Sequence, residues 1–285
     1  MITGAGGQLG QALRTSGPAG ADIVALDRAG LDIGDAGAVA TQVARIGPDL
    51  IINAAAYTAV DRAESEAEAV WRINAAGAGH LAAAAAAGQA RFVHVSTDFV
   101  FDGSGGGPYR PDHPTAPLGV YGASKRAGEE AVLAACPGAL IVRTAWVYGA
   151  AGHNFVRTML RLMAERDAVR VVADQIGTPT YAPGLARAIW ALDAAGATGV
   201  HHWTDSGAAS WYDFAVAIQE EALAMGLLDR AVPVMPIATA DYPTPARRPL
   251  YSVLDKASAV ALVGAPAPHW RVHLRDMLGE IRANG

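Results

Sequence analysis

The chain has one cysteine, Cys136, in 285 residues, so no disulfide can form within it. Clusters of Cys and His at ligand spacing are missing too, which argues against a structural zinc and sets the expectation of no bound metal. At this length a core of ample size closes without such staples. Long apolar runs are also scarce. The longest, around Leu81 to Gly88, is too short to span a bilayer and reads as a buried helix. No basic segment leads into an apolar stretch at the N-terminus, since glycines begin at Gly4, so no membrane association or export is expected and a reducing cytoplasm is. A basic surplus is absent as well: the net charge is -5, which disfavours nucleic acid and favours small molecules as partners. No repeat with a period of about 20 to 50 residues recurs, which excludes a solenoid.

What is present is an alternation. Short apolar runs at Ile23 to Leu26, Leu50 to Ala54, Phe92 to Ser96 and Leu140 to Trp146 stand between longer helix-like stretches. That order is the mark of βαβ units and of a parallel sheet covered on both faces. The expectation is an α/β protein with a doubly wound, Rossmann-like parallel sheet and a smaller C-terminal lobe. Residues 1–148 are read as a dinucleotide-binding domain, joined by a helix within 180–196, and residues 149–285 mainly as a substrate-binding lobe. Ser210 and Asp213 open a further helix as a capping box, so Trp211 and Tyr212 read as first-turn packing. His201 and His202 point to opposite sides of an extended segment, which suits a strand better than a metal site.

Gly4, Gly7 and Gly10 lie directly after Ile2 and Thr3 and before a helical run. Glycines at this spacing permit a tight turn and let backbone N–H groups approach a pyrophosphate at a helix N-terminus. A second strand ends at Asp27, about 20 residues on, where an acid meets an adenosine ribose. Arg28 beside it suits a ribose 2'-phosphate, which leans toward NADPH, with NADH as the alternative. Only three residues precede Gly4, so the first strand is expected to be very short or to lack upstream residues.

Tyr121 and Lys125 are four apart in a helix-forming stretch and so share one helix face. Acid/base work near neutrality needs a phenol about three pKa units below its usual value, or roughly 4 kcal/mol. An ammonium about 5 Å away supplies roughly 3 kcal/mol at an effective dielectric near 20. This spacing alone also occurs on many amphipathic helices. Its weight comes from the glycine loop upstream and from Thr97, at the end of the third run, whose hydroxyl can bond the carbonyl that Tyr121 protonates.

These residues resemble the extended short-chain dehydrogenase/reductase superfamily, and within it the dTDP-4-dehydrorhamnose reductase family. The likeness runs through GAGGQLG at 4–10, NAAAYTAVDRAE at 53–64, STDFVFDG at 96–103, YGASKRAGE at 121–129, RTAWVY at 143–148, DQIGTPT at 174–180 and YPTPARRP at 242–249. The resemblance implies NADPH-dependent reduction of the C4 keto group of a dTDP-linked 4-dehydro-6-deoxy-L-mannose, giving dTDP-L-rhamnose. It makes Thr97, Tyr121 and Lys125 the catalytic residues. It places Gly4, Gly7, Gln8, Leu9, Gly10, Asp27, Arg28, Asp32, Ile33, Asn53, Ala54, Ala55, Ala56, Tyr121 and Lys125 against the cofactor, Lys125 at the nicotinamide ribose. Val60, Thr97, Asp98, Phe99, Trp146, Asn154, Gln175 and Arg248 would meet the nucleotide sugar, Arg248 being suited to a diphosphate.

Some positions depart from the family pattern. Phe99 stands where relatives commonly have Tyr, Leu250 and Tyr251 replace small or amide residues, and Ala12 replaces an acid that helps some relatives bind magnesium at a dimer contact. No metal and a monomer or weak homodimer are therefore expected. A related dehydratase would need Glu at Phe99 to move the proton lost in elimination. The remaining alternatives are a reductase for another nucleotide-linked 4-keto-6-deoxy sugar and a non-catalytic nucleotide-binding regulatory subunit of the same fold.

Overall fold

The computed structural model describes residues 1–284. Its centre is a six-stranded sheet in the order β10-β5-β4-β3-β1-β2, and every pairing in it is parallel. The strands are β1 (Ile2–Thr3), β2 (Ala25–Leu26), β3 (Leu50–Asn53), β4 (Arg91–Thr97), β5 (Leu140–Thr144) and β10 (Gly199–His202). This is the doubly wound arrangement expected from the alternation. The chain winds outward from β1 to β2 and then returns to β3 on the other side. The crevice beyond the strand ends at that switch is where such sheets bind ligands.

Side-chain alternation explains why helices cover both faces. Ile52, Val93 and Val142 join one core with Leu13 of α1 (Gln8–Thr15) and Leu185 and Ile189 of α8 (Ala182–Ala194). Their neighbours Ile51, Phe92 and Ile141 point the other way. They pack against Val39 of α2 (Ala36–Ile46), Leu81 of α5 (Ala78–Ala87) and Val132 of α6 (Val120–Ala135). The short α3 (Val60–Ala63), α4 (Ala67–Trp71) and a π-turn at Arg72–Gly77 lead into α5. The alanine-rich run is half-buried rather than wholly so: Leu81, Ala82 and Ala85 are enclosed, whereas Ala83, Ala86 and Ala87 face outward.

A second core lies beyond β5. There α7 (Phe155–Glu165), α9 (Trp211–Ala224) and α11 (Trp270–Asn284) enclose Val156, Met159, Phe214, Ile218, Leu274 and Leu278. Two-stranded ladders surround this core: β6 (Val147–Tyr148) with β9 (Thr180–Tyr181), β7 (Val169–Val172) with β12 (Val234–Ile237), and β8 (Ile176–Gly177) with β11 (Ala209–Ser210). The helix α10 (Ala257–Val263) returns to the sheet beside β10. The capping box of Ser210 and Asp213 forms at the start of α9 as read from the sequence.

The run Leu140 to Trp146 is not one strand. It stops at Thr144, and Trp146 takes a left-handed φ of 46° before β6 begins. A bulky residue in that region is strained unless its surroundings hold it there. Here the indole lies stacked on Trp211, with ring centroids 3.5 Å apart.

Candidate active site

A cleft of about 990 Å³ opens along the C-terminal ends of β1, β3, β4 and β5. Its floor begins at the glycine loop. Gly4 has φ of 72°, and a Cβ there would sit 2.6 Å from the backbone of Ala54 and Ala55. A Cβ on Gly10 would sit 2.1 Å from the carbonyl oxygen of Gly4. Only glycine lets the loop, the end of β3 and the first turn of α1 approach this closely. Gly7 caps α1 without a side-chain partner, which leaves first-turn N–H groups open to an anion. Gln8 and Leu9 line the same surface, and Gln8 Oε1 accepts a hydrogen bond from Asn154 Nδ2 at 2.9 Å. Asn154 also caps α7 and donates to the Gly149 carbonyl, so the second core is tied directly to the loop.

One end of the cleft holds Asp27, Arg28, Asp32 and Ile33. Asp27 Oδ1 accepts from Gly30 N, and both Asp27 and the neighbouring Arg28 are exposed. Asp32 is held below its usual range, first by the Gly34 N–H and then by the Arg72 guanidinium. Ala54, Ala55 and Ala56 line the floor as small side chains, but Asn53 does not reach the cleft. It is buried beneath it, accepting from Thr3 Oγ1 and Ala55 N and contacting His94.

Thr97, Tyr121 and Lys125 come together on one wall. Tyr121 sits in the first turn of α6, edge-on to Phe99 with ring centroids 5.5 Å apart. Burial pushes Tyr121 up to about 12, with a hydrogen bond to Thr97 opposing the shift. This corrects the expectation that Lys125 by itself brings the phenol close to neutrality. The lysine is spent elsewhere: its Nζ donates to the Val95 carbonyl at 2.7 Å and lies 3.3 Å from His94 Nε2. Its own value falls to about 8 because it is buried. Thr97 Oγ1 donates to Asp98 and accepts from Phe99 N. Asp98 is enclosed and raised to about 6 by burial, against hydrogen bonds from Ser252 and Thr97.

Val60, Trp146 and Arg248 line the same cleft. Arg248 is not a free cation. It grips Asp61 with two nitrogens at 3.0 and 2.8 Å. Gln175 lies outside the cleft: it is buried, and its amide donates to Thr239 Oγ1. Trp211, expected to be first-turn packing alone, both packs and lines the cleft, as Phe214 does one turn further along α9. Neither carried a sequence signal, because a capping box explains a tryptophan after it without reference to a distant Trp146. Among the described residues no group of three or more His, Cys, Asp or Glu side chains is placed to hold a metal ion. Ala12 is buried in the core between α1 and the sheet.

The arrangement combines a helix end with uncapped N–H groups, a floor of small residues and a phenol and a lysine amine lining one cavity. The family described as RmlD substrate binding domain matches residues 1–283. A spore coat polysaccharide biosynthesis protein of Bacillus subtilis is 42% identical over 98% of this chain and 96% of its own length. The dTDP-4-dehydrorhamnose reductase of Mycobacterium tuberculosis is 46% identical over 98% of this chain and 91% of its own. The crystal structure of dTDP-4-dehydrorhamnose reductase from Bacillus anthracis, in complex with NADP, superposes with a TM-score of 0.92 at 40% identity, covering 98% of both chains. On sequence and fold alike, this chain belongs to the RmlD substrate binding domain family, that of the dTDP-4-dehydrorhamnose reductases.

Proposed function

We propose that this chain is an NADPH-dependent reductase that converts dTDP-4-dehydro-6-deoxy-L-mannose to dTDP-L-rhamnose. The observation that carries the reading is the meeting of Thr97, Tyr121 and Lys125 in the cleft floored by the glycine loop. The cradle fits a dinucleotide. Gly4 and Gly10 leave no space for a Cβ, the first turn of α1 offers uncapped N–H groups, and Ala54 to Ala56 let a flat ring approach. Arg28 and Asp27 would meet the adenosine ribose and its phosphate. When bound, the cofactor supplies the hydride.

The chain's own residues do the rest. Tyr121, protonated throughout the neutral range, is the acid that gives a proton to the oxygen developing at C4. Thr97 orients that oxygen, and Lys125 offers positive charge in a low-dielectric pocket. Val60, Phe99 and Trp146 wall the sugar, with Asp98 and Asn154 as polar neighbours. Arg248 would meet the diphosphate, sharing its charge between that group and Asp61. Gln175 would have to leave Thr239 to reach the nucleotide. Residues 1–148 together with α8 form the cofactor-binding part in this reading, and most of residues 149–285 the part that holds the sugar.

The test is direct. Purified protein should oxidise NADPH when given the dTDP-linked 4-keto-6-deoxy sugar, with dTDP-L-rhamnose as the product. Binding of both ligands without turnover would instead indicate a non-catalytic nucleotide-binding protein of this fold.

A further inference from the structure

Behind Lys125 runs a buried chain of polar side chains that the proposed chemistry leaves unused. Thr3 Oγ1 donates to Asn53 Oδ1 at 2.8 Å, and the Ala55 N–H donates to the same oxygen at 3.1 Å. Two donors on one oxygen fix which way the Asn53 amide faces. Its Nδ2–H must then point at His94 Nδ1, which lies 3.1 Å away. Thr3, Asn53 and His94 are each about 1% exposed, so water cannot offset a mismatched contact.

The direction of this chain dictates the histidine tautomer. A neutral imidazole has one donor and one acceptor nitrogen. With Nδ1 accepting from Asn53, the proton of the ring stands on Nε2, and Nε2 faces Lys125 Nζ at 3.3 Å. An N–H directed at an ammonium is a meeting of two donors. Directed at a neutral amine, it is a hydrogen bond that stabilises the deprotonated lysine.

Two surrounding groups favour the ammonium, the Val95 carbonyl that accepts from Nζ and the Glu129 carboxylate, but burial outweighs them. On α6, Glu129 faces Lys125 but is held bidentately by Arg143 of β5. Tyr121 and, at the end of β4, Asp98 face the cleft side. Arg72 of the π-turn is turned to Asp32, His80 of α5 contacts the Ile33 carbonyl, and Glu64 accepts from Val120 N at the start of α6. Burial and the adjacent lysine hold His94 well below the usual histidine range, so its ring stays neutral.

We propose that His94 is a positioning residue: held by Asn53 with its proton on Nε2, it favours the neutral form of Lys125 and so makes the lysine proton available to Tyr121. This rests on the reductase reading for its use in catalysis. After Tyr121 has given its proton to the new alcohol, an N–H bond of Lys125 breaks and the phenolic O–H reforms. Lys125 passes through the amine, which His94 stabilises, and regains its proton from solvent. No electrons move in this step.

The tautomer can be observed without altering the protein. In full-length chain labelled with ¹⁵N-histidine and saturated with NADP⁺, the His94 signal should show a protonated Nε2 and a bare Nδ1 from pH 6 to 10. A proton on Nδ1, or an imidazolium, overturns the proposal whether or not the protein is a reductase. Kinetics give the second readout. His94→Ser, which admits water as an acceptor for the ammonium, should move the alkaline limb of kcat upward by about one pH unit. His94→Gln can accept from Asn53 and still present an N–H to Lys125, and it should leave the limb in place. Equal losses of kcat in both variants with an unmoved limb would make His94 structural only and overturn the proposal.

Discussion

Arg143 on β5 clasps Glu129 on α6 with two nitrogens at 2.8 and 2.6 Å, and both side chains are about 6% exposed. Glu129 lies one helical turn beyond Lys125, so this pair fixes α6 against the sheet at the depth that sets the height of Tyr121 and Lys125. Arg143 also lies over the Phe101 ring, 5.2 Å from its centroid, which joins the loop after β4 to the same point.

Removing one partner should therefore be costly. Glu129→Gln leaves a buried guanidinium with a neutral partner and should lower stability by about 3 kcal/mol. Denaturant unfolding of the two proteins measures the difference. A loss under half that size would mean that solvent reaches the pair.

Lys125 binds its proton less tightly when folded, at about 8, than at the ordinary lysine value of 10.5. The cost of keeping it charged is full below pH 8, declines between 8 and 10.5, and disappears above. Lys125→Met removes that cost and also the bond to the Val95 carbonyl, so the change with pH is the informative quantity. The variant should gain up to about 3 kcal/mol at pH 7 relative to pH 10.5. Thermal unfolding at both pH values tests this, and turnover should be lost at either.

Tyr121→Phe deletes the proposed proton donor and leaves the ring contact with Phe99. Turnover should fall by about 10²- to 10⁴-fold, while the Kd for NADPH stays within about twofold. Unchanged turnover would dismiss Tyr121 as the acid.

Arg28 is exposed beside the cleft, next to an Asp27 carboxylate that a turn already occupies. Arg28→Ala should weaken NADPH binding by roughly tenfold or more, as expected for loss of a charge-assisted phosphate contact, and NADH binding far less. Titration of each nicotinamide gives the comparison, and equal losses would remove Arg28 from the phosphate site.

Arg248 already has a carboxylate partner in Asp61, whose value lies below the usual range because of that guanidinium. If the arginine also holds the diphosphate, Arg248→Gln should raise KM for the nucleotide sugar about tenfold or more with kcat little changed. Because the pair is partly exposed, stability should drop by less than about 1 kcal/mol. A large loss of stability with unaltered KM would mark the pair as structural.

Local pattern was enough for much of this. Alternating apolar runs determine a parallel sheet covered on both faces, because Ile51 and Ile52, or Ile141 and Val142, must point opposite ways and each needs a covering helix. Spacing put Tyr121 and Lys125 on one face of α6, and the capping box of Ser210 and Asp213 started α9 where it was expected. These depend on residues within a turn or two of each other. Contacts between distant segments were decided only by the fold. Trp146 stacks on Trp211, Arg248 meets Asp61, Gln175 turns to Thr239, and Asn53 meets His94 across two strands. The acidity of Tyr121 belongs with them. Its spacing from Lys125 places the lysine, but burial and the competing Val95 carbonyl set what the lysine can do for the phenol.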